Sequence, residues 1–359
     1  MPLRIALVIN GGPDSAMAQR AAELARRWHG FELRVLHRTG GKMRSVPTLA
    51  GRLLAFHPHL CCIFDCVADS VLAAALAKTL TGCRVVLDTG DAIVELGKSL
   101  GRGPIRLGLT RALEVLGFRI ADQVVVRSEN HRKLLRNHGV EAECIPDGVC
   151  LADFAPAAGA STKRVPPITL GVVGSCIWSP RWKLCYGWEL VETLSLLPRE
   201  MAVGVFIGDG DGLPRLKRQA ERLGVADRIR FIGRVPYHEL PQHLAGIDIA
   251  LSTQTNDRAG QVRTTGKLPL YLAAGRFVLA SRVGTAAWIL PEEMLVEYHG
   301  SVDREYPRRL AERLVRLVKE QTPLSPRNDC VELARRFFDY DQLASRYAEL
   351  IRACLRKYR

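Results

Sequence analysis

The stretch RTTGKLPLYLAAGRFVLAS, residues 263–281, sets Thr264, Thr265, Gly266 and Lys267 ahead of an alanine-rich helical pattern that ends at Gly275. A lysine at a helix start faces the positive end of the macrodipole and is mildly unfavourable there unless something offsets its charge. The pattern therefore raises the question of what Lys267 holds, with a merely solvated side chain as the competing answer. Near the start of the chain the apolar run RIALVI leads into NGGPDSA, where Gly11 and Gly12 let the backbone approach a ligand and Asp14 or Ser15 can cap the next helix. The dinucleotide fingerprint Gly-x-Gly-x-x-Gly is not present there, which counts against a nicotinamide or flavin dehydrogenase, and a tight strand-to-helix turn is the plain alternative.

Two motifs carry carboxylates. LDTGDAIVELG (87–97) places Asp88 and Asp91 on a loop at the end of a strand. Its Asp-Thr-Gly is the aspartic-protease triplet, but such proteases are β-rich and pair two of these loops, whereas this chain alternates strands with helices and has one. Either aspartate could instead cap a helix. GDGDG (208–212) contains Asp-x-Asp, yet the LPRLKRQ that follows lacks the further oxygen ligands of a calcium loop, so it reads as a turn and no metal is required. Between 98 and 119, Lys98, Arg102, Arg106, Arg111 and Arg119 stand against the single acid Glu114, with Leu, Ile and Phe interleaved. Such a segment can rest on anionic lipid or be a solvated basic face over a core stripe.

The elements that must position these residues follow from the rest of the chain. Its 359 residues, 47% of them hydrophobic, suffice for two domains. Fifty-one Lys and Arg against 37 Asp and Glu should attract anions such as nucleotides, phospholipid headgroups or nucleic acid. Aromatic stacking strips and reader motifs are missing, so nucleic acid is not expected as a partner. Ten scattered cysteines fit neither a disulfide scaffold nor a paired zinc site, and reduced, mostly buried thiols are expected. The opening MPLRIALVING is too short in apolar run for a signal peptide, and nowhere are there the ~18 apolar residues of a bilayer span. A cytoplasmic protein that touches the membrane at its cytoplasmic face is the expectation.

Short apolar runs (RIALVI, CCIF, RVVL, QVVVRS, AECIP) alternate with helical patterns, the signature of a parallel sheet with helices on both faces. Around 150–167 the text turns to CLADFAPAAGASTKRVPP, low in periodicity, which reads as a linker. Alternation then restarts with ITLGVV, AVGVFIG, RIRFIG, IDIALS and RFVLAS. We expect an α/β chain of two Rossmann-like domains, 1–160 and 161–340, with a closing helix at 341–359 whose apolar face holds Leu343, Tyr347, Leu350, Ile351 and Cys354.

At VVVRSENHRKLLRNHGVEAECIPDGVCLADFAP (124–156), LGVVGS (170–175), the 205–252 stretch from VFIGDGDG to IDIALS, and GKLPLYLAAGRFVLASRVG (266–284), the sequence resembles the retaining, nucleotide-sugar-dependent glycosyltransferases of the GT-B fold, in the broad family 4 group. The resemblance spans most of the chain. It implies two Rossmann-like domains facing across a cleft, the second binding the nucleotide diphosphate of a sugar donor and the first mostly binding the acceptor.

On that footing Thr264, Thr265, Gly266 and Lys267 would meet the donor diphosphate, and Gly11 and Gly12 would let the donor approach. The family uses an Arg and a Lys after the first strand of its second domain; the usual arginine is Ser175 here, which leaves Arg181 and Lys183 in GSCIWSPRWKLCYGWEL. Arg234 and Val235 in GRVP would lie on the nucleobase side. Asp91, with Asp88 as second choice, would act as acid/base or orient the sugar, as a His or Asp does near this point in related enzymes. Many members carry two glutamates eight positions apart; Val262 and Leu270 stand there, and a leucine cannot accept a hydrogen bond from ribose.

The function implied is transfer of a sugar from a nucleotide-diphosphate sugar (UDP or GDP unresolved) to a hydroxyl of a glycan, glycolipid or small-molecule acceptor, with retention and with no cofactor beyond that co-substrate. A nucleotide-sugar epimerase of the same fold and a catalytically silent nucleotide-binding or scaffold homologue are the rivals.

Overall fold

The computed structural model describes residues 2–155 and 166–356. The chain divides into two compact units, Met1–Gly148 with Val262–Thr264 and Asp339–Arg359, and Val149–Gln261 with Thr265–Phe338. The boundary expected at 160/161 and most of the linker lie outside the described residues. The division comes earlier, at Gly148, and the last helix belongs to the first unit.

The first unit holds β1 (Leu3–Ile9), β2 (Phe31–His37), β3 (Leu60–Phe64), β4 (Arg84–Thr89), β5 (Gln123–Val126) and β6 (Glu143–Cys144). They form one sheet in the order β2-β1-β3-β4-β5-β6, with every pair parallel. Alternation along each strand covers both faces. Ile5, Leu7, Ile9, Cys62, Phe64 and Val86 join one apolar cluster, while Ala6, Val8, Cys61, Ile63, Val85 and Leu87 join the other. Burying each large aliphatic side chain stabilises by about 1.5–3 kcal/mol. β2 is an edge strand whose Glu32, Arg34 and Val35 are exposed, so its polar-interrupted text FELRVLH carries no continuous apolar signal.

The helix Tyr340–Arg356 completes this unit. Its Leu343, Tyr347, Ile351 and Cys354 lie among the core residues on the same sheet face as the first helix, Ala16–Ala25. The Trp28 indole nitrogen donates to the Ala344 carbonyl at 3.1 Å, and the Trp28 and Tyr347 ring centroids are 5.2 Å apart.

The second unit carries β7 (Ile168–Val173), the antiparallel pair β8 (Trp178–Ser179) and β9 (Leu184–Cys185), then β10 (Ala202–Ile207), β11 (Ile229–Gly233), β12 (Ile249–Ser252), β13 (Phe277–Ser281) and β14 (Leu295–Val296). Its main sheet runs β11-β10-β7-β12-β13-β14, again all parallel. Helices Trp188–Ser195, Lys267–Ala273, Tyr306–Lys319 and Asn328–Phe338 bury Leu190, Tyr271, Leu314 and Phe338 in one continuous core. None of the ten cysteines forms a disulfide; Cys144 is half-buried and the others are buried. Among the described residues no helix is long and apolar enough to cross a membrane.

Candidate active site

In an open parallel sheet, ligands sit beyond the carboxyl ends of the strands where the strand order reverses. In the second unit that point lies between β7 and β12. Gly174, which follows β7, has a φ of +151°, and a Cβ placed there would lie 2.9 Å from Tyr186 Cε1 and 3.1 Å from Lys267 Nζ. A side chain at 174 would thus displace the lysine. The Lys267 ammonium rests 3.5 Å from the centroid of the Tyr186 ring. Ser252, the last residue of β12, and Thr265 bring their hydroxyls to 3.5 Å. The turn after β10 closes on the same place, because a Cβ on Gly208 would fall 1.9 Å from the Gly174 carbonyl oxygen. The helix Lys267–Ala273 spans only seven residues, so the ammonium supplies more of the positive field here than the macrodipole does.

Glu189 sits in the first turn of the helix Trp188–Ser195 and is 6% exposed. Burial, opposed only in part by backbone hydrogen bonds and the Lys267 charge, leaves its carboxyl pushed up to about 7. Leu270, at the position of the family glutamate, is 9% exposed and is one of the core residues, so a ribose contact must come from elsewhere.

The β8–β9 hairpin presents Arg181 and Lys183, both exposed. Lys183 adopts a φ of +52° to close the turn, with its amide donating to the Ser179 carbonyl at 2.8 Å. The Arg181 guanidinium lies 4.5 Å from the centroid of Trp182. GDGDG secures this hairpin. Asp211 accepts from the Trp178 amide at 2.8 Å, and Asp209 accepts from the Gly210 amide at 2.7 Å. Among the described residues no three His, Cys, Asp or Glu side chains group as a metal-ligand set. Arg234 is exposed beyond β11, and Val235 packs half-buried against the core.

In the first unit the strand order reverses between β1 and β3. There Asn10 donates to the Asp65 carboxylate at 3.1 Å. Gly11, with a φ of +120°, turns the chain so that Ser15 caps the first helix by accepting from the Ala18 amide at 3.2 Å; Gly12 has open space where a Cβ would stand. Arg127, at the end of β5, donates to Asp65 at 3.1 Å and to Asp88 at 3.3 Å. Arg20 donates to Asp88 at 3.0 Å and to the Ile145 and Pro146 carbonyls at 2.8 and 2.6 Å. Burial alone would favour discharging Arg127, but Asp147, Asp88 and Asp65 raise its pKa above the ordinary value.

Asp88 is fully buried, with Arg20 on one oxygen and Arg127 on the other, so it balances internal charge and offers nothing to a substrate. Asp91 is half-buried and receives two hydrogen bonds from Arg263, at 2.8 and 3.3 Å. Burial pushes the Asp91 carboxyl up, and the Arg263 guanidinium more than reverses this, leaving it below the usual carboxylate range. Thr264 is buried, its hydroxyl donating to the Arg127 carbonyl at 2.7 Å, whereas Gly266 is exposed. Asp65, Thr89 and Asp91 line a cavity of about 290 Å³ together with Asn10, Lys42 and Arg102.

The quoted stretch 263–267 is thereby split. Arg263 and Thr264 group with the first unit, Thr265 and Lys267 with the second. Tyr186, Glu189, Arg20, Asp65 and Arg127 were not legible as site residues. A tyrosine before Gly-Trp and an arginine on a helix carry no local signal of what the crossovers bring beside them.

Residues 4–146 match the model of the glycosyl transferase 4-like domain, and residues 168–320 match that of the glycosyl transferases group 1. A GDP-mannose-dependent alpha-(1-6)-phosphatidylinositol monomannoside mannosyltransferase of Mycolicibacterium smegmatis is 28% identical over 322 residues, 81% of this chain and 81% of its own length. Among solved structures, Anabaena HepE in complex with UDP superposes with a TM-score of 0.74 at 16% identity, covering 98% of this chain and 100% of its own. The sucrose-phosphate synthase of Thermosynechococcus elongatus gives 0.75 at 16% identity and 98% of both chains. Two parallel-sheet α/β units, each matched by its own glycosyltransferase model, establish that this chain belongs to the group 1 glycosyl transferases of the GT-B fold.

Proposed function

We propose that the chain transfers a hexose, with retention, from a nucleoside diphosphate sugar to a hydroxyl of a glycan or glycolipid. The observation that carries this reading is the convergence of Gly174, Ser252, Thr265 and Lys267 at the strand-order reversal of the second unit. Lys267 meets the diphosphate, and Arg181 and Lys183 on the β8–β9 hairpin add charge as it departs. Arg234 and Val235 face the base. The departing diphosphate itself helps take the acceptor proton. Asp91, kept ionised by Arg263, accepts a hydrogen bond from a sugar or acceptor hydroxyl and orients it rather than donating a proton.

The sequence relative's GDP-mannose dependence puts that donor first among those to test; the structural neighbours with UDP share only the fold with this chain. The helix Pro104–Ile120 supplies a membrane contact: Ile105 and Leu109, one turn apart, are 80% and 68% exposed, and Arg102, Arg106 and Arg111 suit anionic headgroups. Ten cysteines outside any disulfide fit a reducing compartment.

The test is acceptor-dependent release of GDP or UDP from a panel of nucleotide sugars, with glycolipid extract as acceptor. Release that requires acceptor supports the reading. Epimerised donor without acceptor, or no turnover of any donor, contradicts it.

A further inference from the structure

The β8–β9 hairpin stands on a pair of thiols. Cys185 lies opposite Trp178 in the hairpin register, and the amide of Cys176, two residues before Trp178, donates to the Asp209 carbonyl at 2.9 Å. Both cysteines meet at Gly212. Its amide donates to the Cys176 carbonyl at 2.8 Å, and a Cβ there would fall 2.6 Å from Cys185 Cβ and 2.8 Å from that carbonyl oxygen. Any side chain at 212 would wedge between the two cysteines, so the glycine is what lets them close. The Cys176 thiol donates a hydrogen bond to the Cys185 sulfur, the two residues being 0% and 4% exposed. Sulfurs in such contact lie within reach of a disulfide.

The contact also gives the two sulfurs different roles. The hydrogen bond from Cys176 holds the Cys185 thiol below its ordinary range against the opposing effect of burial, while Cys176 keeps its proton. Burial pushes the thiols of Cys61, Cys62, Cys66, Cys144 and Cys330 up, Cys144 to about 12 although it is less buried than the other nine cysteines. Thiolate character, not exposure, therefore singles out Cys185 as the nucleophile.

We propose that Cys176 and Cys185 form a redox-active dithiol that hydrogen peroxide closes to a disulfide, clamping the hairpin that presents Arg181 and Lys183. The inference goes beyond the transferase reading and does not depend on it. The Cys185 thiolate attacks one peroxide oxygen, the O–O bond breaks, and the hydroxide released takes up the proton that Cys185 lost to solvent. The Cys176 sulfur then attacks the sulfenic Cys185 sulfur, the S–O bond breaks, and the hydroxyl leaves with the Cys176 proton as water. Two thiols and one hydrogen peroxide thus give one disulfide and two waters. The oxidant is small enough to reach a pair that lies behind the exposed tip residues Pro180, Arg181 and Lys183. The bond closes the 176–185 loop and restrains every opening that separates β8 from β9.

The experiment treats the full, reduced chain with a small molar excess of hydrogen peroxide, blocks remaining thiols with iodoacetamide and maps peptides without reductant. A 176–185 linkage that forms before any other thiol is lost, and that dithiothreitol reverses, supports the proposal. Hydrogen exchange on the same samples reads the clamp: the Lys183 amide, which donates to Ser179 across the turn, should exchange about tenfold more slowly in the oxidised chain. In Cys176→Ser the sulfenic acid on Cys185 has no resolving thiol and is captured by dimedone, whereas Cys185→Ser gives neither linkage nor label in this segment. Melting temperatures confirm that the variants fold, and the wild-type mapping decides the proposal where one does not. Loss of the Cys144 thiol ahead of this pair, a 176–185 bond that forms only in urea, or an oxidised hairpin that exchanges as fast as the reduced one overturns it.

Discussion

The ammonium of Lys267 lies 3.5 Å from the centroid of the Tyr186 ring, and the buried Tyr186 hydroxyl has no hydrogen-bond partner among the described residues. The ring therefore holds the lysine by its face while its hydroxyl contributes nothing. Tyr186→Phe should leave stability and nucleotide affinity near wild type. Tyr186→Ala should weaken nucleotide binding by roughly twofold to thirtyfold, corresponding to the ~0.5–2 kcal/mol of a cation–π contact. Titration of both variants with the same nucleotide checks this, and equal losses in the two would show that the ring face does not position the lysine.

Glu189 gives this site a pH dependence. Its carboxyl, pushed by burial from 4.5 to about 7, holds a proton in the folded chain that the unfolded chain releases between those values. Stability from this group is present below pH 4.5 and lost as pH rises through 7. Ionised Glu189 also opposes the field of Lys267, so affinity for a nucleotide sugar should fall over the same window. Glu189→Gln should flatten both profiles, measured as urea midpoints and as dissociation constants from pH 5.5 to 8.5. A Gln variant that keeps the wild-type slope would remove Glu189 as the cause.

Asp88 anchors the charge network of the first unit, and its loss would leave Arg20 and Arg127 facing each other in the core without it. Asp88→Ala should cost about 3–5 kcal/mol, the range for breaking a buried ion pair. Urea unfolding reads this directly, and a loss below 1 kcal/mol would mean that Asp65 and Asp147 suffice.

Asp91→Asn should lower kcat/KM for the acceptor by about 10²-fold, the scale of a misplaced reacting group, while GDP or UDP affinity stays within about twofold of wild type. Steady-state kinetics together with nucleotide titration separate the two effects. Unchanged acceptor kinetics would assign Asp91 to holding Arg263 alone.

The alternation of apolar runs and helical patterns made two parallel sheets readable, because strands such as RIALVI and CCIF are covered on both faces and need apolar residues throughout. Edge strand β2 escaped, since three of its seven residues are exposed. The apolar face of the last helix was legible and its partner was not: the period says that Leu343 and Tyr347 are buried, and only the fold says against Trp28. Asp88 shows the same limit. Its place at a strand end was visible, but it shares the parity of Val86, whose side of the sheet packs the first helix and hence Arg20. Lys267 stood out because charge at a helix start is locally anomalous. Tyr186 and Glu189 did not, because they reach it only through the β7–β10 crossover.

The central claim is that Lys267 meets the donor diphosphate. Calorimetric titration of GDP and UDP into the wild-type chain and Lys267→Ala tests it most directly. The account predicts micromolar binding of at least one nucleotide to wild type, weakened about tenfold to 150-fold in the variant, equivalent to the ~1.5–3 kcal/mol of a charge-assisted bond. A folded Lys267→Ala variant that binds the same nucleotide as tightly as wild type would contradict it.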